Sequence, residues 1–259
     1  MQRTIWQVCF AVAALACAGL WTGFALQSRH ETLRAAQERL GITARLLEQH
    51  ADRALAAGDR ALYAAVAAAG DPTTLDDPGR AEALHRFLRD LIAGSPQLAS
   101  AWVLDARGML VAENWPYPPR DRASYAHRSY YRTHAGADNG LHLGPMEIGT
   151  AIGRWRFTMS RPLIGGDGRF AGVIATGIFS AYFGDVFAEA GLGEGARLAL
   201  RRADGTPLAL WPPPDPARPE LPTMDLAGPM PEPGAGAVRL SEDGRLVAVR
   251  RLLSFPVVI

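Results

Sequence analysis

Gly153-Arg154-Trp155-Arg156-Phe157-Thr158-Met159-Ser160-Arg161 alternates apolar and polar side chains with a period of two. In an extended chain this puts Trp155, Phe157 and Met159 on one face and Arg156, Thr158 and Ser160 on the other. The first face suits burial against a helix; the second presents a guanidinium and two hydroxyls. A sheet with a solvated outer face would alternate in the same way, so the pattern argues for a strand and not yet for a pocket. Gly165-Gly166-Asp167-Gly168 then supplies turn chemistry, and a second strand over about 170–179 returns. An antiparallel hairpin of this kind belongs to an α+β fold.

Outward from that hairpin, Leu98 to Leu104 is apolar, ends at Asp105-Ala106-Arg107-Gly108, and returns through Met109 to Ala112 as a second hairpin. Residues 115–140 read as irregular, and 142–148 as a strand. Leu33, Ala36, Leu40, Ala44, Leu47, Ala51, Leu55 and Leu62 recur at near-helical spacing, which predicts one long helix over 31–69. Gly70-Asp71-Pro72 ends it, and a shorter helix over 79–93 follows. A helix over about 180–190 leads to a smaller β unit, with strands expected over 196–202, 206–211, 236–241 and 245–252. Residues 212–234 hold nine of the nineteen prolines and read as an exposed loop. The expected division is 1–29, 30–190 and 191–259.

From Ile5 to Leu26 the chain carries no charge. A helix of that length spans about 33 Å, enough for a hydrocarbon layer of about 30 Å. Arg3 precedes the run, and Trp6 and Trp21 lie near its ends, where indoles favour the interface. The expectation is a single anchor in a bacterial inner membrane, with the bulk of the chain periplasmic. Ala14-Leu15-Ala16-Cys17 faintly resembles a lipoprotein cleavage box, so a cleaved signal and a periplasmic solute-binding lipoprotein remain as alternatives. The long helix leaving the membrane permits a homodimer.

The 259 residues carry a formal net charge of +1, which argues against a nucleic-acid partner. All 27 basic residues are arginine, and without lysine there is neither a P-loop phosphate site nor a Schiff base. Cys9 and Cys17 both fall in the first twenty residues, leaving the rest without disulfides or thiolate ligands. No HExxH or GxSxG motif is present, and His127, His134 and His142 follow no metal-ligand spacing. No cofactor, metal or catalytic activity is expected.

The unusual segment is His127-Arg128-Ser129-Tyr130-Tyr131-Arg132-Thr133-His134. It reads either as a surface helix turn whose tyrosines cap the core or as a binding wall. In the second reading Arg128, Tyr130 and Tyr131 join Arg156 and Ser160 of the alternating strand around a small-molecule ligand. Guanidinium pairs with carboxylate, and phenols supply rigid donors beside apolar surface.

Four segments, in order, resemble the double Cache sensor modules of bacterial membrane receptors. These are the PAS-like periplasmic domains of histidine kinases, diguanylate cyclases and chemoreceptors. The segments are Arg128 to Tyr131, Gly140 to Pro145, Gly153 to Arg161 and Phe170 to Val173. The resemblance implies a membrane-distal module with the ligand pocket, a smaller proximal module, and an output region beyond these 259 residues. It places Arg128, Tyr130 and Tyr131 before the pocket sheet and Arg156 and Ser160 on its floor. Two positions depart from the family pattern. His127 stands where an aspartate often precedes the motif arginine, and Phe179 stands where amino-acid-binding relatives carry an acid for the ligand ammonium. A small carboxylate is therefore the expected ligand.

Overall fold

The computed structural model describes residues 2–115, 123–136, 140–149, 153–191, 193, 195–217, 221, 229–241 and 243–259, with the side chains of 2–14 outside that description. Helix α1 runs unbroken over Gln2–Ala69, so the apolar N-terminal run and the long helix are one element. The membrane-span expectation rests in large part on residues 1–14. Among the described residues no helix is long and apolar enough to cross a membrane. A 3-10 turn at Pro72–Thr74 follows, then α2 (Pro78–Ala93), β1 (Leu98–Asp105), β2 (Leu110–Glu113) and α3 (Ser129–Gly136). Next come β3 (His142–Leu143), β4 (Glu147–Ile148), β5 (Trp155–Ile164), β6 (Phe170–Phe179) and α4 (Ala181–Glu189). The chain closes with β7 (Leu198–Arg202), β8 (Pro207–Trp211), β9 (Gly236–Leu240), β10 (Leu246–Arg250) and β11 (Val257–Val258).

Local chemistry explains the helix ends. Gly70 takes a φ of +60°, and Arg80 donates from Nη2 to the Ala69 carbonyl at 2.7 Å, satisfying an acceptor that the end of α1 leaves open. Asp77 caps α2 by accepting from the Arg80 amide at 3.0 Å, and Pro78 fills the first helical position. Ala81, Leu84, His85 and Leu88 then form the buried face of α2.

The main sheet is antiparallel in the order β2-β1-β6-β5-β3, with β4 also paired to β5. Its first face packs on α1 and α2: Phe157, Met159, Ile174 and Ile178 meet Ala51, Ala54, Leu55 and Leu62 in one apolar cluster. A β-carbon at Gly58 would lie 2.9 Å from Met159 Sδ and 3.2 Å from Ile178 Cδ1, so glycine allows α1 to cross the sheet this closely. Arg161 of β5 donates to both carboxylate oxygens of Asp59 on α1, at 2.7 and 3.0 Å. Its second face is covered by α3, where Trp102, Leu104, Val173 and Ala175 pack against Tyr130.

The expected 142–148 strand is instead two short strands. The irregularity expected over 115–140 is interrupted by α3, while 116–122 and 137–139 lie outside the described residues. Of the proline-rich stretch, 212–217, 221 and 229–234 are described and contain no strand.

Two smaller sheets, β11-β7-β8 and β10-β9, complete the chain. The first is tied to the main sheet: the Met146 amide donates to the Pro207 carbonyl at 2.8 Å, and Arg202 Nη1 to the Leu143 carbonyl at 2.7 Å. The β9–β10 hairpin packs along α1, where Arg250 pairs with Glu48.

Candidate functional site

On the second face of the main sheet, three of the side chains singled out in the sequence converge. Arg156 lies on β5, half a pleat from the buried Phe157, and points away from α1. Its guanidinium stacks 4.9 Å above the ring of Trp102 on β1, and its Nη1 donates to Ser100 Oγ at 2.9 Å. Only 13% of the Arg156 side chain is exposed. Arg128 immediately precedes α3, where the turn closes through its amide to the Tyr125 carbonyl at 2.9 Å. Tyr130, on the first turn of α3, is 4% exposed and sits edge-on to Trp102 with ring centroids 5.7 Å apart.

The strand pairing adds an acid between the arginines. Glu147 of β4 is the register partner of Arg156. Its Oε1 lies 3.4 Å from Arg156 Nη2 and its Oε2 lies 3.3 Å from Arg128 Nη1. Gly177 of β6 lies beneath this group, and a β-carbon there would meet Arg156 Nη1 and Ser100 Oγ at 3.0 Å each.

Arg128, Arg156, Ser100, Trp102 and Tyr130 line a cavity of about 50 Å³ together with Glu113 and others, while Glu147 and Gly177 stand behind the arginines. By the same measure one water needs roughly 10–15 Å³, so the space suits a solute of a few heavy atoms. One buried donor at the site, Arg156 Nε, has no hydrogen-bond partner among the described residues, while the Trp102 indole is engaged by the Tyr130 phenol. A buried donor left unmatched is uncommon and costly, and it calls for an acceptor.

The electrostatics agree with that demand. Burial pushes the Tyr130 phenol up to about 12, against the lowering effect of a hydrogen bond from the Trp102 indole and of the Arg128 and Arg156 charges. It therefore stays protonated, as a donor. Burial also draws Arg156 below the ordinary guanidinium value, while Glu147 opposes that shift. Burial raises the Glu113 carboxyl, and His85 partly offsets it.

Tyr131 and Ser160 are placed elsewhere. The Tyr131 hydroxyl donates to the Ala106 carbonyl at 2.7 Å, and its ring sits edge-on to Phe170. Ser160 shares the face of Arg156 but is fully buried beneath α3, with its Oγ 2.9 Å from His134 Nε2. His134 and His142 lie edge to face with centroids 6.1 Å apart, while His127 is exposed. Among the described residues no three His, Cys, Asp or Glu side chains gather as a metal set. Phe179 carries Arg154 4.3 Å over its ring.

Sequence reasoning missed Trp102, Ser100 and Glu147. Ser100 and Trp102 are two apart on an otherwise apolar strand, a signal that they share a face. Glu147 gave no comparable signal, because its partner is set by the register between β4 and β5.

No family model and no curated protein matches the chain by sequence. Solved structures do match. The extracellular domain of rpHK1S-Z16, described as a histidine kinase, aligns at 26% identity and a TM-score of 0.68, over 87% of this chain and 93% of that one. The ligand-binding domain of the Pseudomonas aeruginosa PAO1 amino acid chemoreceptor PctC, in complex with GABA, aligns at 19% and 0.59, over 86% and 95%. The ligand-binding domain of the Campylobacter jejuni chemoreceptor Tlp3, in complex with L-norvaline, aligns at 14% and 0.57, over 88% and 89%. The last two likenesses show the fold alone.

Proposed function

We infer that this chain, a Cache-type extracellular sensor domain like its structural neighbours, is the ligand-sensing region of a membrane-anchored receptor. It binds a small carboxylate and performs no chemistry on it. Residues 1–29 form the anchor in a bacterial inner membrane, 30–190 the ligand-binding module and 191–259 the membrane-proximal one, with the long helix as the seam of a homodimer.

The observation that carries the ligand class is the presence of two guanidiniums, Arg128 and Arg156, on the lining of one small cavity, with Arg156 Nε buried and unmatched. A carboxylate of two to four carbons accepts from Arg156 and Arg128, with Trp102 and Tyr130 closing the site. Tyr131 and Ser160 then position α3 over the sheet. Ligand on one face of β5 reaches α1 on the other face through Phe157, Met159 and the Arg161–Asp59 pair. Signalling requires different affinities in two states, and a ratio of about 100 is worth roughly 2.7 kcal/mol.

A second reading, a small amino acid, is favoured by one observation: Glu147 offers an acceptor for an ammonium beside the arginines. The chemoreceptor domains named above were solved with such ligands. A thermal-shift comparison of propionate with alanine, which share a size and differ by the ammonium, separates the two readings. The carboxylate reading expects propionate to raise the melting temperature at least as much as alanine. Stabilisation by alanine alone supports the second reading, and no stabilisation by any small carboxylate overturns both.

A further inference from the structure

We propose that Glu147 determines specificity by setting the charge of the ligand, so that the pocket accepts a single carboxylate and turns away a dicarboxylate. This rests on the reading of the cavity as a carboxylate site and adds a selectivity to it.

The argument is one of charge and of free donors. Glu147 divides its two oxygens between Arg128 and Arg156, at 3.3 and 3.4 Å. The side chains of Arg128 and Glu147 are 28% and 29% exposed and that of Arg156 13%, so the three charges act on one another more strongly than in bulk water. Two guanidiniums against the Glu147 carboxylate leave one positive charge, which Glu113 on the cavity wall, its carboxyl raised by burial, offsets when ionised. The Nη1 and Nη2 atoms of Arg156 are already engaged by Ser100 and Glu147, and Nη1 of Arg128 by Glu147. Arg156 Nε is unmatched and each of these Nη atoms keeps a second hydrogen, which suffices for one carboxylate and does not require Glu147 to leave.

A second carboxylate on the same ligand meets a different environment. Within a cavity of about 50 Å³ it lies close to Glu113, which lines the space, and near Glu147, which is held against the two arginines of its wall. It gains no new cation and faces like charge in a partly water-excluded site, the repulsive element that specificity commonly uses.

The test is calorimetric titration of the full chain in detergent micelles with propionate and malonate, probes of similar size that differ by one carboxylate. The wild-type chain is expected to favour propionate. Glu147→Gln keeps the shape, removes the charge, and is expected to raise the malonate-to-propionate affinity ratio by about tenfold or more. Glu147→Asp keeps the charge and is expected to leave that ratio near the wild-type value. An unchanged ratio in Glu147→Gln, with propionate still bound, overturns the selectivity role and leaves the carboxylate site standing. Loss of propionate from a well-folded Glu147→Gln also overturns it, and makes Glu147 a positioning residue for the arginines. Failure of propionate to bind any of the three chains overturns the carboxylate reading itself.

Discussion

A β-carbon on Gly177 would stand 3.0 Å from Nη1 of Arg156 and 3.1 Å from its Cδ, so the arginine lies flat across β6 only because position 177 has no side chain. The pocket floor is thus set by a missing methyl as much as by the residues present. Gly177→Val is expected to lift Arg156 off Trp102 and weaken a bound carboxylate by about 1–2 kcal/mol, the usual scale for overpacking. Gly177→Ala should fall between it and the wild type. Titration of the three chains checks the order, and equal affinities would mean that Arg156 does not hold the ligand from this position.

Four of the five candidate residues should separate in a mutation series. Arg156→Gln and Arg128→Gln are expected to lower ligand affinity at least about tenfold, as removal of a charge-assisted hydrogen bond does. Tyr131→Phe loses only its bond to the Ala106 carbonyl, and Ser160→Ala only its contact with His134. These two are expected to lower the unfolding free energy by about 1 kcal/mol while affinity stays within about twofold. Denaturant melts beside titrations distinguish the groups, and a tenfold affinity loss in Tyr131→Phe would contradict its placement.

Gly58 should be as unforgiving on the other face of the sheet. Glycine inside a helix ordinarily costs about 1 kcal/mol relative to alanine, so a larger residue would help if space allowed. Here a β-carbon would meet Met159 Sδ at 2.9 Å and Ile178 Cδ1 at 3.2 Å, and both side chains are fully buried. Gly58→Leu is expected to destabilise by about 2–3 kcal/mol, with part of the loss recovered in a Gly58→Leu, Met159→Ala double variant. Simple additivity of the two changes would show that α1 does not press on β5 here.

Stability should fall as the solution is acidified. His142 is held down to about 4 from an ordinary 6.5, chiefly by burial and then by His134 and Arg202. Between those values the unfolded chain takes up a proton that the folded chain refuses, so folding weakens as pH drops through that window and is insensitive to this group above it. His50, lowered mainly by burial where it stacks on Tyr182, acts in the same direction. His142→Gln should flatten the melting-temperature profile between about pH 6.5 and about pH 4. Superimposable profiles for variant and wild type would exclude His142 as a source of the slope.

How much of this was legible before the fold was known differs residue by residue. The alternation over 155–160 was enough to place Phe157 and Met159 against the long helix and Arg156 on the opposite face, because strand geometry is local. The hairpin turns were legible for the same reason, marked by glycine, and the extents of α2 and β6 were read to within a residue. Glu147 was not, since its approach to two arginines depends on pairing with β5 and on the docking of α3. Nor was the separation of Tyr130 from Tyr131, adjacent in the chain yet turned by the first helical turn of α3 toward Trp102 and Phe170 respectively. The burial of Ser160 beneath His134 is likewise a matter of which helix covers the sheet.

The most direct measurement is calorimetric titration of the wild-type chain and of Arg156→Gln with the small monocarboxylate that most raises the melting temperature. Saturable one-to-one binding to the wild type, reduced at least about tenfold in a variant of unchanged fold, is the expected result. Equal affinity in the two chains would show that the ligand sits elsewhere, and that the cavity between Trp102 and the arginines is not the sensing site.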